Sequence, residues 1–102
     1  MSRRAQIEAL LADEPDNSFL RYGLAMEYVS SGEEEQAIVV FRELMSRDPN
    51  YVPAYLQTGQ VLVRLGREAE ARSVLTTGVQ VAQRTGDSHA AGEMSGLLAT
   101  LE

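Results

Sequence analysis

The chain has 102 residues, a net charge of −6 and no cysteine. Disulfides, thiolate catalysis and cysteine-ligated zinc are excluded. The acidic balance, with a sequence pI near 4.7, argues against DNA, RNA or anionic lipid as a generic partner, because basic surface supplies most of that affinity.

Hydrophobic residues at 44% and charged residues at 24% are the usage of a folded domain, not of a disordered chain. The length suits one small domain with a modest core and little room for a deep cleft. All nine basic residues are arginine, which fits either a GC-rich coding bias or an acidic, lysine-poor surface adapted to high salt. No apolar run approaches the ~18 residues of a membrane span. The opening stretch takes on Glu8, Asp13 and Glu14 at once, so it reads as a folded helix and not a signal peptide. The expected compartment is cytoplasmic.

In chain order, residues 2–13 form an amphipathic helix with Ile7, Leu10 and Leu11 on one face and Ser2 as cap. Pro15 stops it, and Asp16-Asn17-Ser18 opens the next. Residues 18–31 carry Leu20, Leu24, Ala25 and Tyr28 in one stripe and end at Gly32 in the left-handed conformation. Residues 33–47 turn Ala37, Val40, Phe41 and Leu44 inward and end before Pro49.

Residues 52–65 repeat the earlier pattern with Tyr55, Gly59 and Leu62, Pro53 in the first turn and Gly66 at the end. Residues 67–84 carry Ala71, Val74, Leu75, Gly78, Val79 and Val81. Gly78 inside a helix costs about 1 kcal/mol against Ala, which a close helix approach would rationalise. Thr85 to Ser88 is the next break, and residues 88–101 form a last helix with Ala91, Met94, Leu98 and Leu101 on one face. No strand pattern is present.

One constant interval separates Gly32 from Gly66, Ala37 from Ala71, Phe41 from Leu75 and Pro15 from Pro49. A fixed period of this size, roughly 34 residues, marks a repeat architecture. In the same register Ile7, Leu10 and Leu11 match Phe41, Leu44 and Met45. The opening helix is thus the second helix of a repeat whose first helix is absent. For the last helix the period puts Glu93 where Ala25 and Gly59 sat; a slip of two residues puts Ala91 there and packs better.

The small residues Ala25, Ala37, Gly59, Ala71 and Gly78 at helix crossings, with Tyr28, Gly32, Phe41, Pro49, Tyr55, Leu62, Gly66 and Leu75 around them, resemble the tetratricopeptide repeat. The resemblance runs over residues 3–101. It departs from the family's pattern at Arg21, where an aromatic is usual, at Leu44, larger than the usual small residue, and at Gln83, which replaces the terminal proline and implies a longer helix to about Arg84.

The resemblance implies an all-α fold of antiparallel helix–turn–helix repeats, about two and a half units, stacked as a right-handed superhelix. It implies a single domain, with a half-repeat helix at 2–14, full repeats at 17–50 and 51–85, and a capping helix at 87–101. The short start and the end at Glu102 suggest a self-contained unit.

Family members bind peptides or proteins on a concave face made by the first helix of each pair. By register that face holds Tyr22, Met26 and Val29, then Leu56, Gln60, Val63 and Arg64. Its apolar character lacks the Lys/Asn/Arg clamp that some relatives use for C-terminal carboxylates. A non-catalytic interaction module follows, with a protein or peptide as partner and no cofactor, metal, nucleic acid or membrane. The alternative is homo-oligomerisation through the same face or the terminal helices.

No catalytic set is visible. Glu33-Glu34-Glu35 begins a helix, where carboxylates interact well with the dipole, and consecutive residues diverge too far to share an ion. His89, the one histidine, has no second ligand or nucleophile and reads as a surface residue. Arg64 and Arg67 flank Gly66 and either hold an acidic partner group or pair locally with Glu68 or Glu70.

Overall fold

A computed structural model describes residues 1–101. It contains α1 (Arg3–Asp13), α2 (Ser18–Ser30), α3 (Glu34–Arg47), α4 (Val52–Arg64), α5 (Glu68–Thr85) and α6 (Ser88–Ala99). No strand occurs among the described residues. Every helix lies within two residues of its expected bounds, the usual uncertainty of helix ends. The chain forms two compact units, one from Met1 to Asp48 with α1–α3 and one from Pro49 on with α4–α6.

The helix ends follow from local chemistry. Ser2 Oγ accepts from Ala5 N at 3.1 Å, Asn17 Oδ1 from Leu20 N at 3.0 Å and Asp87 Oδ1 from Ala90 N at 3.0 Å. Each satisfies one of the orphan N–H groups of a first turn. Gly32, Gly66 and Gly86 end α2, α4 and α5 with φ of 79°, 76° and 82°. The residue after each glycine donates back five residues: Glu33 to Tyr28 O at 2.9 Å, Arg67 to Leu62 O at 2.9 Å and Asp87 to Ala82 O at 2.8 Å. This is the Schellman closure, which needs a left-handed residue and so favours glycine.

In the first unit α2 packs on α3 and also on α1. Ala25, Ala37, Phe41 and Leu44 are wholly buried, with Leu24, Ile38 and Leu11 beside them. Arg21, in the aromatic position, is itself 9% exposed and donates from Nη1 to Pro15 O at 2.6 Å. Ser18 Oγ donates to Asp48 Oδ2 at 2.6 Å and so ties the start of α2 to the end of α3.

In the second unit α4 packs on α5, α5 on α6, and α4 touches α6. Leu62, Leu75, Ala71, Ala82 and Met94 are wholly or almost wholly buried. The cost of Gly78 has its expected cause: a Cβ there would stand 2.5 Å from Met94 Sδ and 2.6 Å from Tyr55 Cβ.

The register of α6 departs from expectation. Ala91 does point inward, at 7% exposure, while Glu93 is exposed. Counted from the caps, however, Ala91 holds the fourth helical place, that of Tyr55, and the place of Gly59 falls to exposed Ser95. The offset is two residues longer than the period, not two shorter. α5 has 18 residues where α3 has 14, while the connection after it is shorter, Gly86-Asp87 against Asp48 to Tyr51. Glu102 lies outside the described residues.

Candidate partner-binding faces

In the first unit Tyr22, Met26 and Val29 lie along α2 and are all half-buried. Tyr22 leans on the core, its ring 6.0 Å from that of Phe41 at an interplanar angle of 59°. Such tilted pairs add modestly to packing and fix the Tyr22 ring in place. Tyr22 and Met26 line a groove of about 330 Å³ with Ile7, Phe19, Leu20 and Gly23, bounded by Arg3 and Glu27. The two charged residues form an ion pair at 3.5 Å. Val29 is not among the lining residues.

Phe19 was not singled out by the sequence. It is 72% exposed, against the usual fate of a large aromatic. The signal was present: Phe19, Tyr22 and Met26 fall at i, i+3 and i+7, one face of a helix.

In the second unit Leu56, Gln60 and Val63 follow the same spacing along α4 and are again half-buried; Arg64 is exposed. The opposite side of α4 is fully packed, with Ala54, Thr58 and Val61 at 0% exposure. The Thr58 hydroxyl is satisfied within the helix by donating to Ala54 O at 2.6 Å.

The charged residues around these faces form local pairs. Arg67 Nη2 meets Glu70 Oε2 at 2.7 Å, the pairing expected of one of the two flanking arginines. Arg4 lies over the Tyr28 ring, 5.0 Å from its centroid, and donates to Glu33 Oε2 at 2.8 Å. The same oxygen accepts from Ser31 Oγ at 2.6 Å. The Ser31 hydroxyl first, and then the Arg4 charge, hold the Glu33 carboxyl below the ordinary glutamate range. Glu43 is lowered likewise by its hydrogen bond to Arg47 Nε at 2.7 Å.

Glu33 immediately precedes α3 while Glu34 and Glu35 occupy its first turn, so the three carboxylates diverge. His89 is exposed and faces Glu93 across one helical turn at 3.0 Å. Among the described residues no three His, Asp or Glu side chains come together as an ion site. No helix among them is long and apolar enough to cross a membrane.

Comparison with known proteins supports the repeat fold. A family model described as tetratricopeptide repeat matches residues 28–93. A TPR repeat-containing protein of Pseudomonas aeruginosa is 31% identical over 96 residues, 94% of this chain and 91% of the relative. The solution structure of a tetratricopeptide repeat domain protein from Salinibacter ruber superposes with a TM-score of 0.82 at 31% identity, over 86% of this chain and 89% of that one. The TPR2B domain of yeast Sti1, in its pHsp70 complex, shares the fold with a TM-score of 0.89 at 16% identity, over 96% and 78% of the two chains.

Proposed function

The chain belongs to the tetratricopeptide repeat family, and from that premise we propose that it is a non-catalytic module binding a peptide or protein through the first helix of each full repeat. Tyr22, Met26 and Val29 on α2 and Leu56, Gln60, Val63 and Arg64 on α4 carry the contact. The observation behind this reading is the groove beside α2: six apolar or small residues open to solvent, with a single charged pair at the rim. A short apolar segment entering it gains about 25 cal/mol per Å² of apolar surface removed from water.

The faces are preorganised, so a partner docks with little reordering of the receptor. Tyr22 is held against Phe41, and Leu56, Gln60 and Val63 stand on a helix whose other side is closely packed. The yeast Sti1 domain, solved with a bound partner on the same fold, is in keeping with this use.

The test is a double substitution, Met26→Glu and Val63→Glu, in an affinity capture from native lysate. The helical circular dichroism signal is retained and the captured partner is lost. Loss of the fold itself would make these residues core and overturn the reading.

A further inference from the structure

The first unit has a second groove, and the one buried charged side chain among the described residues, Arg21, lines it. The groove has a volume of about 590 Å³. Leu11 from α1, Leu24 from α2 and Val39 and Val40 from α3 give it apolar walls, and its charged lining residues are Arg21, Arg42 and Glu43. It shares no residue with the groove of Tyr22 and Met26. By helical spacing Arg21 and Leu24 stand on the other side of α2 from Phe19, Gly23 and Met26.

Arg21 is only 9% exposed, and its hydrogen bond goes to a neutral acceptor, Pro15 O, at 2.6 Å. Tyr55 makes the same kind of contact, to Pro49 O at 2.7 Å, with no charge at all. The contact therefore does not account for an ionised side chain. Burying one is costly unless a counter-charge is hydrogen-bonded to it. Glu43 lies within reach of the Arg21 charge, but its own hydrogen bond goes to Arg47 Nε at 2.7 Å. Among the described residues no side-chain nitrogen is buried without a partner. The Arg21 donors that Pro15 O leaves over thus open into the groove.

We propose that this groove binds a small carboxylate with an aliphatic chain, a ligand of the fatty-acid class, with its carboxylate on Arg21 and its chain along Leu11, Leu24, Val39 and Val40. Charge argues for an anion. The lining carries two arginines and one glutamate, a net +1, within a unit whose ten carboxylates and five arginines give a net −5. The groove is a local positive site on an acidic body, and a guanidinium matches a carboxylate through paired hydrogen bonds. The walls argue for an aliphatic chain. A peptide brings an N–H and a C=O at every residue, and Arg21, Arg42 and Glu43 are the only polar side chains here to meet them. A fatty acid has polar atoms at one end alone. The volume is that of a small-ligand site, roughly 300–1,000 Å³.

The test is isothermal titration of the 102-residue protein with sodium octanoate below its micelle concentration, beside sodium hexanoate and uncharged 1-octanol. Octanoate binds saturably, one per chain. Affinity rises by about fourfold for each methylene added between hexanoate and octanoate. Octanol binds about tenfold more weakly than octanoate, for want of a charge-assisted hydrogen bond. Arg21→Tyr keeps a donor for Pro15 O, removes the charge and closes the gap between octanoate and octanol. Val39→Glu, at a position 63% exposed, abolishes octanoate binding with the circular dichroism signal unchanged. Glu43→Gln removes the one carboxylate of the lining and tightens octanoate by up to about fivefold.

No saturable octanoate binding overturns the proposal, as does octanol binding as tightly as octanoate. An Arg21→Tyr or Val39→Glu chain that binds octanoate as wild type does overturns it too, as does a Glu43→Gln chain that binds no more tightly. Should Arg21→Tyr unfold, Val39→Glu and Glu43→Gln, both at exposed positions, decide the question. None of the substituted residues belongs to the proposed partner-binding set, so either reading fails without the other.

Discussion

Arg21 in the first unit and Tyr55 in the second occupy the same place in the repeat, and each reaches back to a proline carbonyl. Arg21 Nη1 donates to Pro15 O at 2.6 Å and Tyr55 Oη to Pro49 O at 2.7 Å. A guanidinium and a phenol differ in charge and shape, yet both carry a long apolar stem and a donor at its tip. The repeat therefore asks for a donor of a given reach at this place, and an aromatic ring is one way to supply it.

The loop itself is gripped in the same way in both units. Arg47 meets Asp16 at 3.2 Å, and Arg84 donates to Asn50 at 2.8 Å. Arg84 comes from a turn farther along its helix because α5 is longer than α3. The crossings differ more. In the first unit Ala25 and Phe41, both buried, hold the places that Gly59 and Leu75 hold in the second, where the Leu75 side chain would collide with any Cβ at Gly59. One repeat position can thus be filled from either side of the crossing.

The sharpest contrast is Leu44 against Gly78, again equivalent places in successive repeats. Leu44 fills its space completely, at 0% exposure. Leu44→Ala is expected to cost about 2–5 kcal/mol through lost transfer energy and a residual cavity. Gly78→Ala should also destabilise, by about 1–3 kcal/mol, although helix propensity alone favours it by about 1 kcal/mol. The reason is that Tyr55 Cβ, fixed to the backbone, cannot withdraw from the new methyl as Met94 Sδ can. Urea unfolding of both variants measures this. A neutral or stabilising Gly78→Ala would disprove the close approach.

A smaller effect tests the shared proline contact. Arg21→Leu keeps an apolar stem but leaves Pro15 O without its short donor, at a cost of about 1–3 kcal/mol. Tyr55→Phe removes only a neutral hydrogen bond, about 0.5–1.5 kcal/mol. Arg21→Tyr should then recover most of the Arg21→Leu loss. If Arg21→Tyr is no better than Arg21→Leu in thermal melts, the two side chains are not equivalent.

These contrasts explain what the sequence made legible. The helices, their glycine stops and the repeat period depend on local chemistry that recurs in place, such as left-handed Gly32 and Gly66, and could be read directly. The role of Arg21 was not legible because residue type shows only a departure from the usual aromatic, and the donor it supplies to Pro15 O is visible only in the geometry. The register of α6 was hidden because two length changes of opposite sign, in α5 and in the connection after it, leave only their difference in the numbering. On the candidate faces, helical spacing gave the side of each helix but not its depth. Tyr22 is half-buried with its ring against Phe41, whereas Phe19, on the same side of α2, stands 72% exposed.

The smallest expected effect separates the units by acid. Glu33 and Glu43, both in the first unit, have folded pKa values below the ordinary glutamate value of about 4.3. Their contribution is complete above the unfolded pKa and disappears as the pH falls through it and then through the lower folded value. Glu33 links the start of α3 to Arg4 on α1, and Glu43 holds the arginine that meets Asp16. Both pairs are exposed, so the effect is modest and weakens with salt. Glu33→Gln with Glu43→Gln should melt slightly lower than wild type at neutral pH, and the two melting curves should converge as the pH falls below about 4. A gap that stayed constant through that range would mean the pairs are neighbours without energetic consequence, and the two units would then differ in packing alone.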